Sequence, residues 1–165
     1  MFATATMLHA QSAEHTATRA GDLQIGVGYS IAKPDYGTEN FKGIAPYATF
    51  DFTNHLGVEV GFRYLQDPSP LGMYEKTYQV GARYHLNYRR FKPYAKFMYG
   101  RGVFNFQHDV ANLAYNMFAY GGGTDIRVSH SFNTRLDFEY QDWLGFPPHG
   151  LNPMVGTVGV AYHFH

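Results

Sequence analysis

The sequence predicts an all-β fold: an eight-stranded antiparallel up-and-down β-barrel that spans a membrane. Three observations predict it. Apolar residues recur at every second position in eight separate stretches, the period of a strand whose two faces differ. The stretches run roughly 10 to 14 residues, long for a soluble sheet, whereas a tilted membrane strand needs about 9 to 11. The connections alternate short and long, as they must when antiparallel neighbours leave tight turns at one end and loops at the other.

The clearest stretches define the pattern. In 56–65, Leu56, Val58, Val60, Phe62 and Tyr64 oppose Gly57, Glu59, Gly61 and Arg63. In 153–165, Val158, Val160, Tyr162 and Phe164 oppose Thr157, Gly159, Ala161 and His163. The first strand, 22–32, sets Leu23, Ile25, Val27, Tyr29 and Ile31 against Gln24, Gly26, Gly28 and Ser30. The second, 41–52, and the fourth, 74–86, alternate likewise, through Ile44, Pro46, Ala48 and Phe50 and through Tyr78, Val80, Ala82 and Tyr84. The fifth, 91–104, carries Pro93, Ala95, Phe97 and Tyr99. The sixth, 114–128, carries Phe118, Tyr120 and Ile126, and the seventh, 133–143, carries Leu136, Phe138 and Tyr140. Short turns are expected at 53–55, 87–90 and 129–132, and longer loops, rich in Pro, Gly, Asn and Asp, at 33–40, 66–73, 105–113 and 144–152. Pro46 and Pro93 each remove a ladder donor, so a bulge is expected at each.

The faces decide which side points outward. The aromatic face is nearly free of charge along the middle of every strand. The opposite face mixes Gly and Ala with Glu59, Arg63, Arg83, Lys96, Asp125, Arg127, Arg135, Asp137 and Glu139. Small residues suit the concave wall of a narrow barrel. Charges of both signs can pair across its lumen, where an isolated charge would be very costly. The charged face is therefore inside, and only lipid tolerates the aromatic outside. A soluble lipocalin-like binder would show the reverse arrangement. Trp143, Tyr140, Tyr120, Tyr99 and Tyr29 read as an interfacial aromatic girdle.

Composition excludes several classes. The chain has 165 residues, no Cys and zero formal net charge, with 14 Tyr, 14 Phe and 18 Gly. Without Cys there is neither a disulfide framework nor a thiolate metal site. The neutral balance offers nucleic acid no surface. No apolar run is long enough for a membrane helix. Residues 1–20 read as a signal-peptide remnant or a disordered tail, leaving one barrel domain over 21–165.

Over about 22–165 the pattern resembles small bacterial outer-membrane β-barrels: the transmembrane domain of the OmpA type and its OmpX-like and opacity-type relatives. The alternating strands carry the resemblance, with the paired PYA motifs at 46 and 93 (Pro46-Tyr47-Ala48 and Pro93-Tyr94-Ala95) and Leu136-Asp137-Phe138-Glu139-Tyr140. The ending Gly159, Val160, Tyr162 and Phe164 resembles the signal read by the barrel-assembly machinery, although His165 follows the final aromatic. The resemblance implies a monomer in the outer membrane, among its lipid and lipopolysaccharide, with short turns in the periplasm and loops outside. A peptidoglycan-anchoring role is not implied.

Little chemistry is expected. An eight-stranded lumen is just wide enough for side chains to fill, so its charges read as a structural network and not as a catalytic site. Two related barrel families modify lipid A. The deacylase kind needs a His-x-Ser pair, and Ser129-His130-Ser131 has the wrong spacing and lies in a tight turn. The palmitoyltransferase kind needs a hydrocarbon-accepting lumen. His163 and His165 share a face but make a poor metal site at a frayed end. No cofactor is expected. Loop residues Tyr36, Leu71, Phe106 and Phe146, beside Pro147 and Pro148, are candidate contacts for a partner, lipopolysaccharide or a surface.

Overall fold

The computed structural model describes residues 21–34, 40–68, 72–106, 111–145 and 150–164. These form eight strands: β1 (Asp22–Lys33), β2 (Phe41–Asp51), β3 (Leu56–Gln66), β4 (Tyr74–His85), β5 (Phe91–Phe106), β6 (Ala111–Arg127), β7 (Phe132–Trp143) and β8 (Met154–Phe164). Each pairs antiparallel with its sequence neighbours, and β8 closes on β1 to complete a barrel.

The registers set its shape. Leu23 pairs with Phe50, Phe50 with Val58, Val58 with Ala82, and Ala82 with Phe97. The path continues through Tyr120, Tyr140 and Met154 and returns to β1 at Lys33, ten residues above its start. Ten residues of climb over eight strands correspond to a strand tilt of roughly 40°. An 11-residue strand such as β8 then rises about 27 Å, close to the ~25 Å apolar band of a membrane barrel.

Burial follows the same alternation. Along β8 every second residue is buried, and outward Val158 is 62% exposed. The closing seam depends on small residues. Gly28 pairs with Gly159 across β1 and β8, and Ser30 Oγ and Thr157 Oγ1 hydrogen-bond at 2.6 Å beside them.

Three expectations change. Residues 105–113 are not a long loop: β5 and β6 continue to a Phe106–Ala111 pair, leaving only 107–110 between them. Phe104 turns inward into an apolar layer, and the ladder continues past it although Asn105 is buried as well, its pair with Asn112 lying beyond the span that lipid would cover. Neither proline makes a bulge. At Pro46 the β2–β3 pairing lapses over Ala45 and Pro46 and resumes in unchanged register, from Ile44–Tyr64 to Tyr47–Gly61. Pro93 lies near the start of β5, where its carbonyl still accepts from Leu86 N–H at 2.9 Å. Finally, Trp143 is not in the girdle: it is fully buried inside the barrel. It shares its parity with Glu139 and Gln141, whose side chains face the lumen.

Candidate functional site: a charged lumen closed at one end

The lumen has three layers. At the loop end, Phe41, Leu65, Met98, Phe104, Met117 and Trp143 form the bulk of a buried apolar cluster. In the middle lies a network of ions. At the turn end, a polar cup of about 400 Å³ opens outward.

In the middle layer, four cations meet four carboxylates. Arg63 donates to both oxygens of Glu139, at 3.0 and 3.4 Å. Lys96 Nζ lies 3.0 Å from Glu139, 2.9 Å from Asp137 and 3.2 Å from Glu59. Arg135 donates to Glu59 and Asp125, each at 2.8 Å, and Arg83 donates to Asp125 at 2.6 Å. The eight groups are one continuous cluster of balanced charge, which is what makes burying them tolerable. Neutral groups complete it. Tyr94 donates to Asp137 at 2.6 Å, and Gln79 and Gln141 donate to Glu139 at 2.8 and 2.7 Å. The Arg135 guanidinium sits 3.8 Å from the centre of the Tyr47 ring, and that of Arg83 sits 4.1 Å from Tyr94.

The ions occupy β3 to β7, while β1, β2 and β8 supply Gly26, Gly28, Ala45, Thr49, Gly159 and Ala161 to the opposite wall. Long cations from one side therefore have room to cross. A Cβ on Gly26 would lie 2.5 Å from the Tyr47 ring, so that ring reaches its place over Arg135 only because position 26 is bare.

Glu59, Arg63, Arg83, Lys96, Asp125, Arg135, Asp137 and Glu139 thus lie together. Arg127 does not join them: it is the last residue of β6, exposed at the rim of the cup. Its parity points inward, but the barrel wall ends there and the long side chain reaches water. Sequence reasoning left Asp51, Glu75, His85 and Lys92 out of the charged set and weighed His163 only as a poor metal ligand, although all five are on inward-facing positions. Lys92 bonds Asp51 at 2.5 Å, and His163 bonds Asp22. Alternation alone would have found them.

Of the proposed loop contacts, Tyr36, Leu71 and Phe146 lie outside the described residues, as does the side chain of Phe106. His165 and residues 1–20 also lie outside them. Gly159 faces the lumen, whereas Val160, Tyr162 and Phe164 face outward, with the rings of Tyr162 and Phe164 edge to face at 4.9 Å. Ser129, His130 and Ser131 occupy the β6–β7 turn, at the opposite end from the loops. Among the described residues, no group of three or more His, Cys, Asp or Glu side chains is placed to hold a metal.

Comparison with known proteins agrees with this architecture. Neisserial surface protein A superposes with a TM-score of 0.72 at 12% identity, over 88% of this chain and 97% of that one. The outer membrane protein OprG of Pseudomonas aeruginosa gives 0.67 at 14%, over 88% and 97%. The attachment invasion locus protein Ail of Yersinia pestis, solved with the heparin analogue sucrose octasulfate, gives 0.59 at 20%, over 87% and 99%. No curated protein matches the sequence. The family profile for the outer membrane protein β-barrel domain matches residues 1–164, so the chain belongs to that family and is a protein of the cell outer membrane.

Proposed function

We propose that this is a sealed, monomeric, non-enzymatic barrel that acts through its outer surface. It supports the outer membrane as an integral component and presents its four connections at the loop end outside the cell. The cup, the tight turns, the start of β1 and the end of β8 then face the periplasm. The observation that carries the reading is the closed lumen. A fully buried Trp143 and its apolar neighbours lie across the loop end, above a layer of mutually neutralised ions. Neither a hydrated ion nor a substrate has a path through such a stack, and Glu59 and Glu139 are held in ion pairs away from solvent. The similar fold of an attachment and invasion protein supports the surface role. Outward Tyr162 and Phe164 support recognition of β8 by the barrel-assembly machinery.

Planar-bilayer recording tests the reading directly: the refolded protein is expected to be electrically silent, and reproducible conductance steps would sink it. Mass spectra of lipid A from cells with and without the protein should be identical, and a new acylation or deacylation product would assign an enzyme instead.

A further inference from the structure

The outward face of the strands carries few charges, and their placement is uneven. Among the described residues they are Lys33, Lys42, Lys76, Arg101 and Asp142, all toward the loop end. The turn end shows Phe91, Phe132 and Phe164 outward instead. At about 3.3 Å per residue and about 4.8 Å between strands, the registers put all five charged Cα atoms within about 3 Å of one level. That level is roughly 25 Å above the three phenylalanines, one hydrocarbon thickness away.

Four of the five are cations, and they lie along one arc of the wall, on β1, β2, β4 and β5. Lys76 pairs with Val103 and Arg101 with Tyr78, so the two cations are diagonal neighbours on adjacent strands, with Cα atoms about 7 Å apart. Lys42 pairs with Gln66 of β3, which in turn pairs with Tyr74, so Lys42 lies two strands round from Lys76. No carboxylate among the described residues lies within ion-pair distance of these cations. The Lys76 ammonium lies 4.6 Å from the Tyr74 ring centre and 5.5 Å from that of Tyr64, an aromatic collar that keeps it at this level. Inside the barrel every such cation has a carboxylate. Like charges set side by side at the edge of the hydrocarbon call for an anion from outside.

We infer that Lys42, Lys76 and Arg101 form a binding site for the phosphorylated headgroup of an outer-leaflet glycolipid. The membrane delivers phosphate at the level where these cations sit, and their long stems let them reach up to it from the barrel wall. The orientation of the site toward the outer leaflet rests on the function proposed above.

The test uses the whole protein in phosphatidylcholine nanodiscs, titrated with bisphosphorylated lipid A or its dephosphorylated form. Each cation is expected to contribute about fivefold in affinity, so Lys42→Gln/Lys76→Gln/Arg101→Gln should lose on the order of a hundredfold. Gln66→Lys adds a cation between Lys42 and Lys76 and should tighten binding about fivefold, which keeps the inference testable if the triple variant misfolds. Arg89→Gln/Arg90→Gln, at the turn end, should change affinity less than twofold. Equal binding of the dephosphorylated lipid, or an unchanged affinity in both loop-end variants, overturns the inference. A nanodisc offers headgroups at both rims, so this result is independent of orientation in the cell. Protease access to the loop end on intact cells tests that orientation separately.

Discussion

The indole of Trp143 fills the space that a side chain at Gly102 would need: a Cβ there would lie 2.2 Å from the ring. The tryptophan is anchored by its own N–H, which donates to Gln141 at 2.9 Å, and Gln141 in turn donates to Glu139. The apolar closure and the ionic layer are therefore one connected assembly.

Gly102→Val should displace the indole and destabilise the barrel by about 1–3 kcal/mol through overpacking, whereas Trp143→Ala should cost about 3–5 kcal/mol. Both are read from the temperature at which the folded band is lost on gels of heated against unheated protein. Trp143→Ala/Phe104→Ala should also raise ion leakage from loaded vesicles. An equally tight double variant would show that the apolar layer is not the seal.

Glu139 receives hydrogen bonds from Arg63, Gln79 and Gln141 and pairs with Lys96. Removing it leaves buried cations without compensation. Glu139→Ala should therefore lower unfolding free energy by about 3–5 kcal/mol in denaturant titrations in vesicles. Arg63→Met should partly rescue it, and the double-mutant cycle should show coupling. Additive losses would mean that the two groups do not act as a pair.

Tyr94→Phe deletes a single hydroxyl, the donor to Asp137 at 2.6 Å, and keeps the ring against Arg83. A hydrogen bond to a carboxylate predicts a loss of about 1.5–3 kcal/mol. Lys96 remains 2.9 Å from Asp137, so the barrel should still fold. Tyr47→Phe serves as the comparison, because its hydroxyl has no hydrogen-bond partner among the described residues, and it should change stability by less than about 1 kcal/mol.

The β2–β3 pairing lapses at Ala45 and Pro46, opposite Phe62 and Arg63. The Phe62 amide, which faces β2 at that point, should exchange faster than those of Val58 and Val60. Pro46→Val, at a lipid-facing position, restores the backbone donor directed at β3 and should stabilise the barrel by about 1 kcal/mol while slowing that exchange. Uniform exchange along β3 in the parent protein would contradict the lapse.

Much of this structure is legible from alternation alone. Leu56 to Tyr64 reads as a strand because every outward residue is apolar, and β3 runs from Leu56 to Gln66. The same reasoning brings Glu59, Arg135 and Asp125 to one side of the wall. What alternation does not carry is height. Arg127 has the parity of the lumen ions but lies where the wall ends, and a period of two is blind to that. Trp143 is the opposite case. Its parity already faced inward, and only the habit of large aromatics to mark the membrane boundary argued otherwise. The hairpin of β5 and β6 outran its expected length because Asn105 and Asn112 look like loop residues in one dimension, whereas pairing across the sheet is decided in two.

The ten-residue climb from Leu23 to Lys33 also makes the bore of the barrel a property of its connections. Deleting two residues from one strand end preserves which side chains face inward but lowers the shear to about eight, and the radius shrinks by about 0.7 Å. The crossing arginines would then lose the width in which they meet their carboxylates. The level charges outside would separate into two tiers, one of them drawn down into hydrocarbon. Turn length thus works as a caliper: it sizes the lumen and levels the outer charges in a single setting.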